Sequence, residues 1–95
     1  MTDVAFEHST LGESVLSFDG RIVELFTSQD ASKGRLIVGL LSVEVEGPDR
    51  KGRTTVMCTT RPGRRGGGFS VVVDGANWLR IEPLVDEIRA AASGT

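Results

Sequence analysis

The chain has 95 residues, 39% of them apolar and 25% charged, with 13 acids against 11 bases for a formal net charge of −2. That balance excludes a disordered tail and fits one small globular domain over residues 1–95, whose stability rests on a few large apolar groups: Phe6, Phe18, Phe26, Phe69 and Trp78. One cysteine, Cys58, and one histidine, His8, exclude a disulfide framework and fall short of the three or four ligands of a zinc centre. The start carries Asp3 and Glu7 where a secretory signal has basic and then apolar residues. The longest apolar run, 36–41, is six residues, against the roughly 20 that span a bilayer as a helix. A cytoplasmic protein that does not span a membrane is expected.

In chain order, the first strong signal is a pair of β-prone stretches, 14–18 and 21–27, flanking Asp19-Gly20. The spacing predicts a hairpin with those two residues at the centre of a type I′ turn. Residues 28–34 are polar and read as a loop. Gly39 then interrupts an apolar run, after which Leu41, Val43 and Val45 alternate with Ser42, Glu44 and Glu46. Two short strands with a bend between them follow from that pattern. Pro48-Asp49-Arg50-Lys51-Gly52 supplies a turn. Residues 54–60 form the next strand, with Thr54, Val56 and Cys58 on one face, and Phe69, Val71 and Val73 share a face of the last.

The period then changes from two to that of a helix. Trp78, Ile81, Val85, Ile88 and Ala92 are spaced three, four, three and four, with Leu84 beside them, while Arg80, Asp86, Glu87 and Arg89 lie off the stripe. Two starts compete. Asn77 as N-cap leaves Pro83 in the second turn without a donor, whereas a start near Glu82 places Pro83 at the first helical position. Residues 83–92 are helical on either.

Five or six short strands followed by one amphipathic helix give an α+β fold: a small antiparallel half-open barrel of about six strands, its open end closed by the C-terminal helix with Trp78, Ile81, Val85 and Ile88 as the plug. The order resembles the pleckstrin-homology-like (PH-like) fold, and more narrowly the bacterial PH-like domains of actinobacterial proteins with no assigned function. The resemblance runs over residues 12–92 and is carried by the segments 16–23, 41–45, 69–73 and 84–90. It implies binding to lipid headgroups, peptides or further copies of the chain, and no catalysis. The phosphoinositide-binding members carry a Lys/Arg pattern around the first hairpin loop, where this chain has Asp19-Gly20, so recognition at that place is not expected.

Charge is divided unevenly. Residues 1–49 hold nine acids and three bases, and residues 50–95 hold eight bases and four acids. Six of those bases, Arg50, Lys51, Arg53, Arg61, Arg64 and Arg65, precede Phe69 with no acid among them. Three guanidinium forks on the glycine-rich stretch 61–68 suit phosphate oxygens, with Lys51 and Arg53 extending the patch if the two loops meet at one end of the barrel. The stretch lacks the Gly-Lys-Ser/Thr ending of a P-loop and any aromatic residue interleaved for base stacking. The plainer reading is a solvated loop that guards a sheet edge, with Lys51 and Arg53 paired to Glu44 and Glu46 on the neighbouring strand.

No catalytic pair stands out. Cys58 is on an apolar strand face, where thiols are usually inert, and Asp86 and Glu87, adjacent on a helix, face different directions. The sequence therefore points to a non-catalytic module without cofactor or metal, binding a protein partner or forming a homo-oligomer. The alternative is an anion-binding module for an anionic lipid headgroup or single-stranded nucleic acid, using Arg61, Arg64, Arg65, Lys51 and Arg53.

Overall fold

A computed structural model describes residues 2–28, 34–60 and 68–93. Its strands are β1 (Thr2–His8), β2 (Gly12–Phe18), β3 (Ile22–Thr27), β4 (Gly34–Ile37), β5 (Leu41–Glu46), β6 (Thr54–Thr60) and β7 (Gly68–Val73), and one helix, α1 (Gly75–Ser93), follows. A single 3-10 turn, Val38–Leu40, separates β4 from β5 and supplies the bend expected at Gly39. Pairing is antiparallel throughout, in two ladders, β1-β2-β3-β4 and β5-β6-β7. The α+β class with a C-terminal helix is as expected, and no ladder closes a barrel among the described residues. The additional strand is β1. Its inward row runs Thr2, Val4, Phe6, His8, and the polar residues at both ends hide the alternation.

The β2–β3 hairpin forms, with its turn one residue later than expected. Register pairs Phe18 with Val23, so the corners are Asp19 and Ile22 and the centre is Gly20-Arg21. Gly20 has φ 98°, and among the described residues no non-glycine residue has positive φ. Asp19 acts as an acceptor at the corner, its Oδ1 receiving the N–H groups of Arg21 and Ile22 at 2.8 Å each. The Ile22 N–H foremost, then that of Arg21, holds the Asp19 carboxyl below its ordinary value. A glycine first and an ordinary residue second is the pattern of a type II′ turn.

The core lies between the two sheets and the helix. Inward rows Val43, Cys58, Phe69 and Val45, Val56, Val71 cross the three-stranded sheet. Leu16, Val56 and Val71 surround one inner space with Ile81, Val85 and Ile88 of α1. The helical stripe read from the sequence is buried at Ile81, Leu84, Val85, Ile88 and Ala92, with Trp78 half-buried at its margin.

Both expected helix starts are superseded, because α1 begins at Gly75 and carries Pro83 inside it. Asp74 is the cap. Its Oδ1 accepts the Asn77 N–H at 2.9 Å, and its carbonyl accepts the Trp78 N–H at 2.8 Å. An interior proline costs about 3 kcal/mol through a lost hydrogen bond and a clash. The early turns offset it by burying Ile81 completely and Trp78 in part, when a fully buried side chain of this size contributes about 1.5–3 kcal/mol. Leu79, whose carbonyl loses its donor, is on the wet side of the helix at 70% exposure.

The sheets meet at a corner where the turn after β1 runs beside β7. Among the described residues one backbone bond of that meeting is ladder-like, Ser9 N–H to Val72 carbonyl at 2.7 Å. The His8 side chain, 3% exposed, does the rest. Its Nδ1 accepts the Thr10 N–H at 3.2 Å, and its Nε2 lies 3.1 Å from the Ser70 carbonyl and 3.4 Å from the Val72 N–H. On the other side Gly34 of β4 lies against the Phe69 ring so closely that a Cβ there would stand 2.5 Å from Cδ2.

Candidate interaction surface

Of the sequence-derived basic residues, the structure describes Lys51 and Arg53. Lys51 and Arg53 are on the β5–β6 turn, organised by Asp49, whose Oδ1 accepts their N–H groups at 2.8 and 2.9 Å. The guanidinium of Arg53 meets Asp49, with Nε 3.4 Å from Oδ2, and not the expected Glu44 or Glu46. The cause is local: Asp49 is already fixed in the turn by the Arg53 backbone, and the same donor, first among several, lowers its carboxyl below the usual range.

Arg61, Arg64 and Arg65 lie outside the described residues, whose ends here are Thr60 and Gly68. Lys51 and Arg53 lead into Thr54 at one end of β6, whereas residues 61–67 leave from Thr60 at the other. Seven strand residues at about 3.3 Å each put those ends roughly 20 Å apart. The attachment points of the two loops on β6 are therefore at opposite ends of that strand.

The candidate nucleophile is closed off. Cys58 is 3% exposed on the inner face of β6, and burial pushes its thiol up to about 12. Both ring nitrogens of His8 are engaged with Thr10 and Ser70. Among the described residues no group of three or more His, Cys, Asp or Glu is placed to hold a metal, and no helix is long and apolar enough to cross a membrane.

The sheet register assembles a surface that the sequence reading did not assign. On the outer face of the four-stranded sheet, Ala5, Val15 and Phe26 stand side by side across β1, β2 and β3. Ile22 and Ile37 form a second apolar pair on the same face, and Ile37 is 54% exposed. Phe26 is thus half-buried on the outside, whereas Phe6, Phe18 and Phe69 are in the core. The signal was present as adjacent apolar pairs, Val15-Leu16, Ile22-Val23, Leu25-Phe26 and Leu36-Ile37, since a strand sends one member of each pair outward.

Charge frames the apolar row. Glu7 faces Glu13 on one side, and Asp3, Ser17, Glu24 and Arg35 form the row on the other. The N–H of Glu7 donates away from β2, to Asn77 Oδ1 at 2.8 Å. Glu7 and Glu13 are therefore a non-hydrogen-bonded cross-strand pair, the arrangement in which side chains come closest. Like charges so placed oppose folding, and among the described residues neither makes an ion pair. A groove of about 610 Å³ runs between these carboxylates, Val15, Phe26, Asn77 and Arg80. A second hollow, about 320 Å³, lies beyond Phe26 between Ser17, Ile22 and Arg35.

The chain matches no protein-family model, and no curated protein and no solved structure matches it either.

Proposed function

We propose that this protein is a non-catalytic interaction module with a PH-like half-barrel, acting by self-association or by holding a protein partner on the outer face of its four-stranded sheet. The order of four and then three antiparallel strands, followed by a helix whose apolar stripe enters the core, supports the PH-like reading. The observation that carries the functional reading is the row Ala5, Val15, Phe26, flanked by two grooves on the outer face of the four-stranded sheet. Apolar groups kept at a surface mark contact sites when they are contiguous and rimmed by polar residues. The anion-binding alternative has the acid-free run of six bases in its favour, and against it the engagement of Arg53 by Asp49.

The test is Phe26→Asp, a change on the outer face that leaves the core intact. Sedimentation velocity over a concentration series is expected to show association for the wild type and its loss in the variant, with unchanged unfolding. Association indifferent to Phe26→Asp overturns the reading. Salt-sensitive binding to phosphatidylserine vesicles, lost when Arg61, Arg64 and Arg65 become Ser, replaces it with the anion-binding one.

A further inference from the structure

We propose that the outer face of the four-stranded sheet receives the basic segment 61–65 of a second copy of this chain, in a head-to-tail association. This rests on that face being a docking surface and adds the identity of the occupant. The argument is charge complementarity between two parts of the same sequence. The strands of the face present Asp3, Glu7, Glu13 and Glu24 against Arg35, with Arg80 of α1 as the other base lining its grooves. Residues 50–68 contain six bases and no acid.

The chemistry of the face selects arginine in particular. Glu7 and Glu13 stand opposite each other at the closest cross-strand spacing without an ion pair among the described residues. A guanidinium laid between two carboxylates donates to both in one plane and removes their repulsion. The row beside them ends in Phe26, whose ring accepts a guanidinium on its face or the methylenes of its stem. Arg61, Arg64 and Arg65 supply three such groups within five residues.

Symmetry fixes how the copies are arranged. A two-fold contact through this face would set acid against acid, so the complementary pairing is heterologous, the face of one copy taking the segment of the next.

The decisive experiment mixes two charge variants. Glu7→Lys/Glu13→Lys removes the receiving face and keeps the segment; Arg61→Glu/Arg64→Glu/Arg65→Glu does the reverse. By sedimentation velocity the wild type is expected to associate, more weakly as salt rises from about 0.1 M to about 1 M, over which the Debye length falls from about 10 Å to about 3 Å. Each variant alone is expected to be monomeric and folded, and an equimolar mixture to regain association. A wild type that stays monomeric, association that survives both variants, or a mixture that stays monomeric overturns the proposal. A titration of ¹⁵N-labelled wild type with a synthetic peptide of residues 59–69 separates the two levels. Amide shifts at Val15 and Phe26 in a chain that remains monomeric leave the docking surface standing and remove the second copy as its occupant. No shifts, together with a silent Phe26→Asp, remove both.

Discussion

Ile81 is where the helix enters the core, and its truncation measures how far α1 acts as a lid. Ile81 has no solvent exposure and borders the same inner space as Leu16, Val56 and Val71. Ile81→Ala deletes three carbons, which at about 0.8 kcal/mol per buried methylene is about 2.4 kcal/mol of transfer free energy. Incomplete collapse of the cavity raises the total to about 3–4 kcal/mol. At roughly 0.05–0.15 kcal/mol per residue a domain of 95 residues has about 5–14 kcal/mol to lose. The midpoint should then fall by about 12–32 °C, taking about 4–8 °C per kcal/mol for a domain of this size. Leu79→Ala is the control, two residues away on the same helix at 70% exposure, and it should change stability by no more than about 0.5 kcal/mol. Urea unfolding followed by the fluorescence of Trp78, with an unchanged slope, reads both. Equal losses at the two positions, or a loss below about 1 kcal/mol at Ile81, would refute the lid, because a helix standing clear of the sheets has no cavity to create.

The corner at His8 gives a second prediction: His8→Ala strands the Ser70 carbonyl and the Thr10 N–H and should cost about 1–3 kcal/mol in chemical denaturation, with His8→Gln recovering part of it through one amide donor. Gly34→Ala drives a methyl group into the Phe69 ring and should cost about 1–3 kcal/mol, relieved in the double variant with Phe69→Leu. For Cys58 the folded thiol titrates near 12 against an ordinary 9.0. Protonated thiol is thus favoured by folding, so this contribution is intact below pH 9.0 and is lost progressively as pH rises toward 12. Cys58→Ala should flatten stability across that window, and native wild type at pH 8 should react with iodoacetamide far more slowly than the urea-unfolded chain.

The parts legible in the sequence are those where burial and periodicity coincide. The stripe from Ile81 to Ala92 and the inward rows of β6 and β7 repeat apolar groups at the helical and strand periods, and both are buried. Tertiary forces overrode local rules elsewhere. Pro83 argued for a later helix start, yet the burial of Ile81 and the cap at Asp74 outweigh one missing donor. Asp19-Gly20 satisfies a turn pattern at two registers, and the acceptor role of the Asp19 carboxylate selects the later one. Of the candidate site, the separation of Lys51 and Arg53 from Thr60 and Gly68 was already implied, because successive antiparallel hairpins turn at opposite ends of their shared strand. The acidic apolar face was not, since it depends on β1, whose inward row ends in His8 rather than in a hydrophobic residue.

Every strand pairs with a neighbour in sequence, so each sheet can assemble from local hairpins without waiting for the other. The contacts that must wait join the two extremes of the chain: Ser9 to Val72, His8 to Ser70, and Glu7 to Asn77, the last across a separation of 70 residues. Loop closure over such a span is entropically costly and is rewarded only once both sheets exist. Slow refolding in His8→Ala with little acceleration of unfolding would place this seam in the rate-limiting step, and the reverse would place it after the barrier.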